Sequence, residues 1–313
     1  MKSYLVFCLL LVVTAASAQS LLPLPQRPGN DVLRTGLSDA DDSADAAVSD
    51  AARLCDQVSF SRNLKYGESE LNVLDVATME AATGMLRPIL LLVAGENFTG
   101  DGDSADVARD LADQTMCFAA RNGMVGVRMR YRLAPAAQWP SGTRDVAAAA
   151  SWIHQNIDLF NGDARQIVAV GYAAGAYHVA SLLAHPEFQA SDSDVAAVVL
   201  VSGTYRPSAD GDDGEKSYFG TDASQYDKQS VFPGILTIEE PIVLAWAAAD
   251  PARLVAQGEQ FKEQLCAAGH CPRTTVLRNR DGLASVFGLD GSADSLAEPT
   301  LLLVRQLEAR GLP

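Results

Sequence analysis

With 313 residues and a formal net charge of −15, from 39 Asp and Glu against 24 Lys and Arg, the chain is long enough for one large α/β domain. No basic patch interrupts the acidic balance, which argues against nucleic acid as a partner. The five cysteines have spacings that suit neither a zinc finger nor a haem site, and no His/Asp/Glu cluster or Gly-rich phosphate loop implies a metal or other cofactor.

Met1 and Lys2 precede an apolar run from Tyr4 to Val13 and then Ala16-Ser17-Ala18, the pattern of a secretory signal with an A-x-A cleavage site at residues 1–18. The run is too short to span a bilayer, so the mature chain is expected to be secreted or periplasmic. Loss of the signal removes Cys8 and leaves Cys55, Cys117, Cys266 and Cys271, an even number in an oxidising compartment. Cys266 and Cys271 are near enough to close a short loop, which leaves Cys55 for Cys117; four buried thiols is the alternative.

Residues 19–57 combine prolines with an Asp/Ala/Ser run and too few large apolar side chains to pack, the composition of a flexible acidic leader. The domain is expected over residues 58–313. Ser59 to Tyr66 and Glu70 to Ala77 read as strands about a turn, and Pro88 to Val93 is a continuous apolar strand followed by the loop Ala94 to Asp101. That loop contains Asn97-Phe98-Thr99, which matches a glycosylation sequon. Asp106 to Ala120 has helical spacing, Met124 to Tyr131 reads as a strand, and Thr143 to Ile157 as a helix. Asn161-Gly162-Asp163 reads as a turn before the strand Gln166 to Val170. Val195 to Val201 is a strand ending at Ser202, and Arg206 to Ser230 is a polar, acidic excursion over the sheet edge, of a length that is often functional. Ile242 to Trp246, Leu254 to Ala267, Thr274 to Leu277 and Ser295 to Ala309 continue the alternation of strand and helix. Such alternation implies right-handed crossovers, a mostly parallel twisted sheet and helices on both faces.

The stretch Gly171-Tyr172-Ala173-Ala174-Gly175 follows a buried strand and opens a helix carrying Tyr177, Val179, Leu182 and Leu183. A sharp strand-to-helix turn needs small residues on each side of its vertex, and Gly171 and Gly175 provide them. In G-x-S-x-G elbows the vertex is a nucleophilic serine. Here it is Ala173, whose methyl group can form no acyl-enzyme.

Tyr131-Arg132-Leu133-Ala134-Pro135, then Trp139-Pro140 and Asp145-Val146, resemble the Y-R-L-A-P segment and following helix of the carboxylesterase branch of the α/β-hydrolases, the hormone-sensitive-lipase-like and bacterial feruloyl-esterase-like enzymes. Tyr218-Phe219-Gly220 is similar to a segment before that branch's acid strand. The resemblance runs from about Tyr66 to the C-terminus and implies an α/β-hydrolase fold and ester hydrolysis. Carried over residue by residue, it puts the nucleophile position at Ala173, the acid at Asp250 and the base at Gly282, in Asp281-Gly282-Leu283-Ala284-Ser285. Where the branch has H-G-G-G for oxyanion binding, this chain has Ala94-Gly95-Glu96-Asn97. A carboxylate at Glu96 opposes a developing oxyanion.

These losses point to a pseudoenzyme with no intact catalytic set. A cleft made by Gly95, Glu96, Asn97, Phe98, Tyr172 and Ala174 is expected beyond the carboxyl ends of the strands. With Phe98 and Tyr172 as aromatic walls and Glu96 and Asp250 repelling anions, it would take a small uncharged or cationic ligand, or serve an unknown protein partner. A cleft filled by its own side chains is the alternative. The competing expectation is an active ester hydrolase built from His178, Ser202 and Asp250. Against it, His178 reads as a satisfied helix residue, His154 and His185 as exposed helix-end residues and His270 as part of a surface turn, while Asp250 before Pro251 can cap the following turn.

Overall fold

The computed structural model describes residues 54–80, 84–95, 97–99, 105–189, 194–278, 287 and 295–311. The predicted signal, most of the predicted leader, and positions Glu96, Gly282 and Ser285 lie outside the described residues.

Eight strands form one sheet in the order β1-β2-β4-β3-β5-β6-β7-β8. They are β1 Ser59–Lys65, β2 Val73–Thr78, β3 Arg87–Gly95, β4 Val125–Met129, β5 Gly162–Ala173, β6 Ala197–Val201, β7 Ile242–Ala247 and β8 Arg273–Leu277. Only β2 runs against its neighbours; β3 to β8 are mutually parallel. The β-branched and aliphatic centres of β3, β5 and β6 are covered on both faces, which is why they read as unbroken apolar runs rather than alternations.

Strand pleating divides those runs between two cores. Ile89, Leu91 and Val93 pack with helices α2 (Ser141–Asn156) and α3 (Ala174–Ala184), while Leu90 and Leu92 point to the face covered by α1 (Ala105–Arg121) and α7 (Ala297–Gly311). Helix α6 (Ala252–Ala267) joins the first face through Phe261 and Leu265. Among the described residues no helix is long and apolar enough to cross a membrane.

Two expectations need correction. The turn read at Asn161-Gly162-Asp163 is confined to Asn161, which adopts a left-handed conformation, and β5 already begins at Gly162, paired with Arg87. The excursion from Arg206 to Ser230 is not a structureless strip over the sheet edge. It contains α4 (Asp213–Phe219) and α5 (Tyr226–Gln229), and buries Glu215, Tyr218, Phe219 and Gln229. Both anticipated cysteine pairs, Cys55 with Cys117 and Cys266 with Cys271, stand at disulfide-bonding distance.

Candidate functional site

The elbow takes the predicted form. Strand β5 ends at Ala173 and α3 begins at Ala174, with Ala173 at φ 51° and ψ −115°. A non-glycine residue held there costs on the order of 1–3 kcal/mol, so the surrounding packing must impose the conformation. The flanking glycines explain how. A side chain at Gly175 would collide with the carbonyl oxygen of Val93, and one at Gly171 with the backbone of Ala176. Tight seating of α3 on β3 and β5 therefore forces the turn, and leaves Ala173 half-buried at the end of β5.

The sheet order makes this end a natural site. From β3 the chain crosses to β4 on one side, and from β5 to β6 on the other, so the crevice between β3 and β5 is a topological switch point. Gly95, the last residue of β3, is the register partner of Ala173. The hydroxyl of Tyr131 occupies the space that a side chain at Gly95 would need, which gives that glycine a packing reason.

The segment after β4 is locked from below. Asp145, buried in α2, accepts from the Arg132 amide at 2.8 Å, from its Nε at 3.0 Å and from its Nη2 at 2.7 Å. Ala134 in turn donates its amide to the Phe98 carbonyl at 2.9 Å. Sequence reading identified Arg132 and Asp145 as motif residues but missed this clamp; their common occurrence in one motif was the available signal.

Phe98 does not stand as the wall of an open cleft. It is 4 % exposed, stacked on Tyr218 with ring centroids 4.7 Å apart and edge-on to Tyr177, His178 and Phe219. Asn97 turns inward on itself, its Oδ1 accepting from the Thr99 amide at 2.9 Å. Helix α4 lies against this loop at Gly214, and Tyr177 ties the excursion down by donating to the Gln229 carbonyl at 2.5 Å. Tyr172 is buried on the other face of the sheet, with Leu90 and Val201, while Ala174 belongs to the same core as Phe98. Of the predicted cleft residues, Gly95 and Ala174 thus adjoin Ala173, Phe98 fills its surroundings, and Tyr172 faces away from Phe98.

His178 corrects a second expectation. It is 1 % exposed and neither ring nitrogen has a hydrogen-bond partner, so it is not a satisfied helix residue. Its ring is enclosed by Phe98, Tyr131, Tyr177 and Tyr218, with Tyr131 at 4.6 Å, and it covers the α-carbon of Gly142. Burial pushes its pKa down to about 3, so the imidazole is neutral. His154 is half-buried and meets the Asp194 carbonyl at 2.9 Å. His185, read as exposed, is instead packed against Trp139 and Phe188, and its Nε2 meets the Ser230 carbonyl at 3.0 Å.

Ser202, in a left-handed backbone conformation at φ 52°, donates its hydroxyl to Asp250 Oδ2 at 2.7 Å. The same carboxylate oxygen accepts from the Ala247 amide at 2.8 Å. Asp250 therefore closes the turn before it, between Ala247 and the start of α6. The structure brings Ser202 and Asp250 together but keeps His178 in its own aromatic enclosure. A further buried group, missed from sequence, lies nearby in the chain: Glu215 accepts from the Thr204 hydroxyl and from Arg253 Nη2, the latter at 2.9 Å. Among the described residues no group of three or more His, Cys, Asp or Glu could hold a metal ion.

The BD-FAE family matches residues 74–205, from β2 through the elbow to the segment after β6. Esterase LipC of Mycobacterium tuberculosis is 32 % identical over 155 residues, 46 % of this chain and 36 % of that protein. LipQ of the same organism is 31 % identical over 143 residues, 43 % of this chain and 32 % of its own length. The chain thus matches about a third of the length of these relatives. Esterase B from Lactobacillus rhamnosis superposes with a TM-score of 0.64 at 17 % identity, covering 86 % of this chain and 92 % of its own, a likeness of fold. Given the strand order, the strained elbow between two obligate glycines and the structural likeness, the chain has the α/β-hydrolase fold, and its central part, from β2 to the segment after β6, is similar to the BD-FAE family and to curated esterases.

Proposed function

We propose that this protein is an exported, esterase-like pseudoenzyme that has kept the scaffold of an ester hydrolase and serves a binding role. The observation that carries the reading is Ala173 at the vertex of a fully formed elbow, φ 51° and ψ −115°, where an ester hydrolase of this branch needs a hydroxyl. Loss of that nucleophile alone lowers the rate of a serine hydrolase by roughly a millionfold. Gly282 at the base position and Glu96 in the oxyanion loop compound it. Asp250, the retained acid, is engaged by Ser202 and the Ala247 amide. The ligand is a small uncharged or cationic molecule, on the charge argument from Glu96 and Asp250, or the role is contact with a protein partner. The burial of Phe98 favours the partner.

The test is hydrolysis of p-nitrophenyl acetate and butyrate by the purified protein, with Asp250→Ala as control. The expected rates equal the buffer background for both. Ala173→Ser alone should stay there too, because its hydroxyl would have no base. Efficient turnover by that single variant would overturn the assignments at Gly282 and Glu96.

The hydrogen bond between Ser202 and Asp250 favours a second reading, an ester hydrolase with an unusual residue set. Turnover by the native protein that vanishes in Ser202→Ala would establish it in place of the first.

A further inference from the structure

We propose a second binding site at the opposite end of the sheet from the elbow, for a small zwitterion with an apolar side chain, of the class of apolar amino acids and their short peptides. It is independent of the esterase-like site. A cavity of about 280 Å³ opens where β7 and β8 begin, at Ile242 and Arg273, whereas Ala173 stands where the parallel strand β5 ends. Pockets for small molecules start near this size, roughly 300 Å³.

The lining separates into a floor and a rim. Ile242, Leu265, Pro272 and Leu303, from β7, α6, the turn before β8 and α7, give an apolar floor. The rim carries Glu239 and Glu240 on the segment entering β7, and Arg273 and Arg310 from β8 and α7. Among the described residues none of these four belongs to an ion pair; the Glu239 amide donates to the Glu240 carboxylate at 3.2 Å. Val243 is the register partner of Arg273, so the segment bearing the two glutamates enters the strand beside the one that Arg273 opens.

The charge pattern selects the ligand. Two guanidinium groups that form no ion pair among the described residues suit a carboxylate, for which their planar fork is shaped. The two glutamates suit an ammonium group. A simple anionic amphiphile would satisfy the arginines while facing the glutamates and a chain of net charge −15. A simple cationic one would leave the arginines opposed. A molecule with both head groups and an apolar side chain matches the rim and the floor together.

The experiment is calorimetric titration of the full chain with L-leucine and with Leu-Leu, against N-acetyl-leucine, leucinamide and hexanoate. Saturable binding of at least one of the two zwitterions is expected, with about tenfold weaker binding when either charge is capped, as for the loss of one charge-assisted hydrogen bond. Preference between leucine and dileucine distinguishes the free amino acid from the peptide. Arg273→Gln should abolish the discrimination against leucinamide, and Glu240→Gln the discrimination against N-acetyl-leucine, with melting temperatures confirming that both variants fold. Failure of both zwitterions to bind at millimolar concentration overturns the proposal. So does equal affinity for the capped compounds, or hexanoate binding as tightly as leucine, since either makes the apolar floor the sole determinant.

Discussion

An imidazole sealed among aromatic rings carries a cost that pH exposes. The side chains around His178 are Phe98, Tyr131, Tyr177 and Tyr218, none of them a carboxylate, so nothing compensates a proton on the ring, and burial holds its pKa near 3. In the unfolded chain the same histidine titrates near 6.5. The unfolded state therefore takes up the proton first as pH falls, and the stability tied to the neutral ring is complete above about pH 6.5 and lost progressively toward pH 3. By pH 3.5 that loss is on the order of 4 kcal/mol. His178→Leu removes the titration, so its urea midpoint should fall less between pH 7 and pH 4 than that of the native protein. Parallel declines in the two proteins would show that the ring is not the cause. Nothing in the local sequence announced this burial, because the rings that enclose His178 come from Phe98, Tyr131 and Tyr218, each on a different segment; helical spacing reports only which face of α3 is apolar.

At the scale of elements, the Arg132–Asp145 clamp fixes the segment after β4 against α2, and through Ala134 it also fixes the loop carrying Phe98. Asp145→Ala would leave the Arg132 amide and guanidinium without their acceptor beside a buried position. Arg132 is 39 % exposed at its side chain, so water recovers part of the charge term, and the expected loss is about 2–3 kcal/mol in chemical denaturation. A loss under 1 kcal/mol would mean that the loop is held by Phe98 packing alone. The motif was legible in sequence as Tyr131 to Pro135 with Asp145, and so was the elbow, because Gly171 and Gly175 mark a close approach that no other residue permits. The excursion from Arg206 to Ser230 was not. Its helices span seven and four residues, too few for a periodic pattern, and their burial depends on long-range contacts such as Tyr218 on Phe98 and His178.

For the whole molecule, the two cysteine pairs act on very different lengths of chain. Cys55 precedes β1 and meets Cys117 inside α1, a sequence separation of 62, while Cys266 and Cys271 are separated by 5 at the end of α6. Their pairing was readable from parity and proximity, but their mechanical roles were not, since sequence does not say that the first pair joins the edge strand's entry to a helix on the sheet's face. In an oxidising compartment both should close, and on the chain-entropy estimate the longer loop contributes about 4 kcal/mol and the shorter about 2 kcal/mol. Replacing both members of a pair by alanine avoids a stray thiol. Cys55→Ala with Cys117→Ala should therefore lower the urea midpoint about twice as far as Cys266→Ala with Cys271→Ala. Peptide mapping of the native protein without reductant should first recover each pair as a linked peptide. Two free thiols in either pair would remove its bridge, and a larger loss from the shorter loop would show that local packing around Cys266 outweighs the entropy of closure.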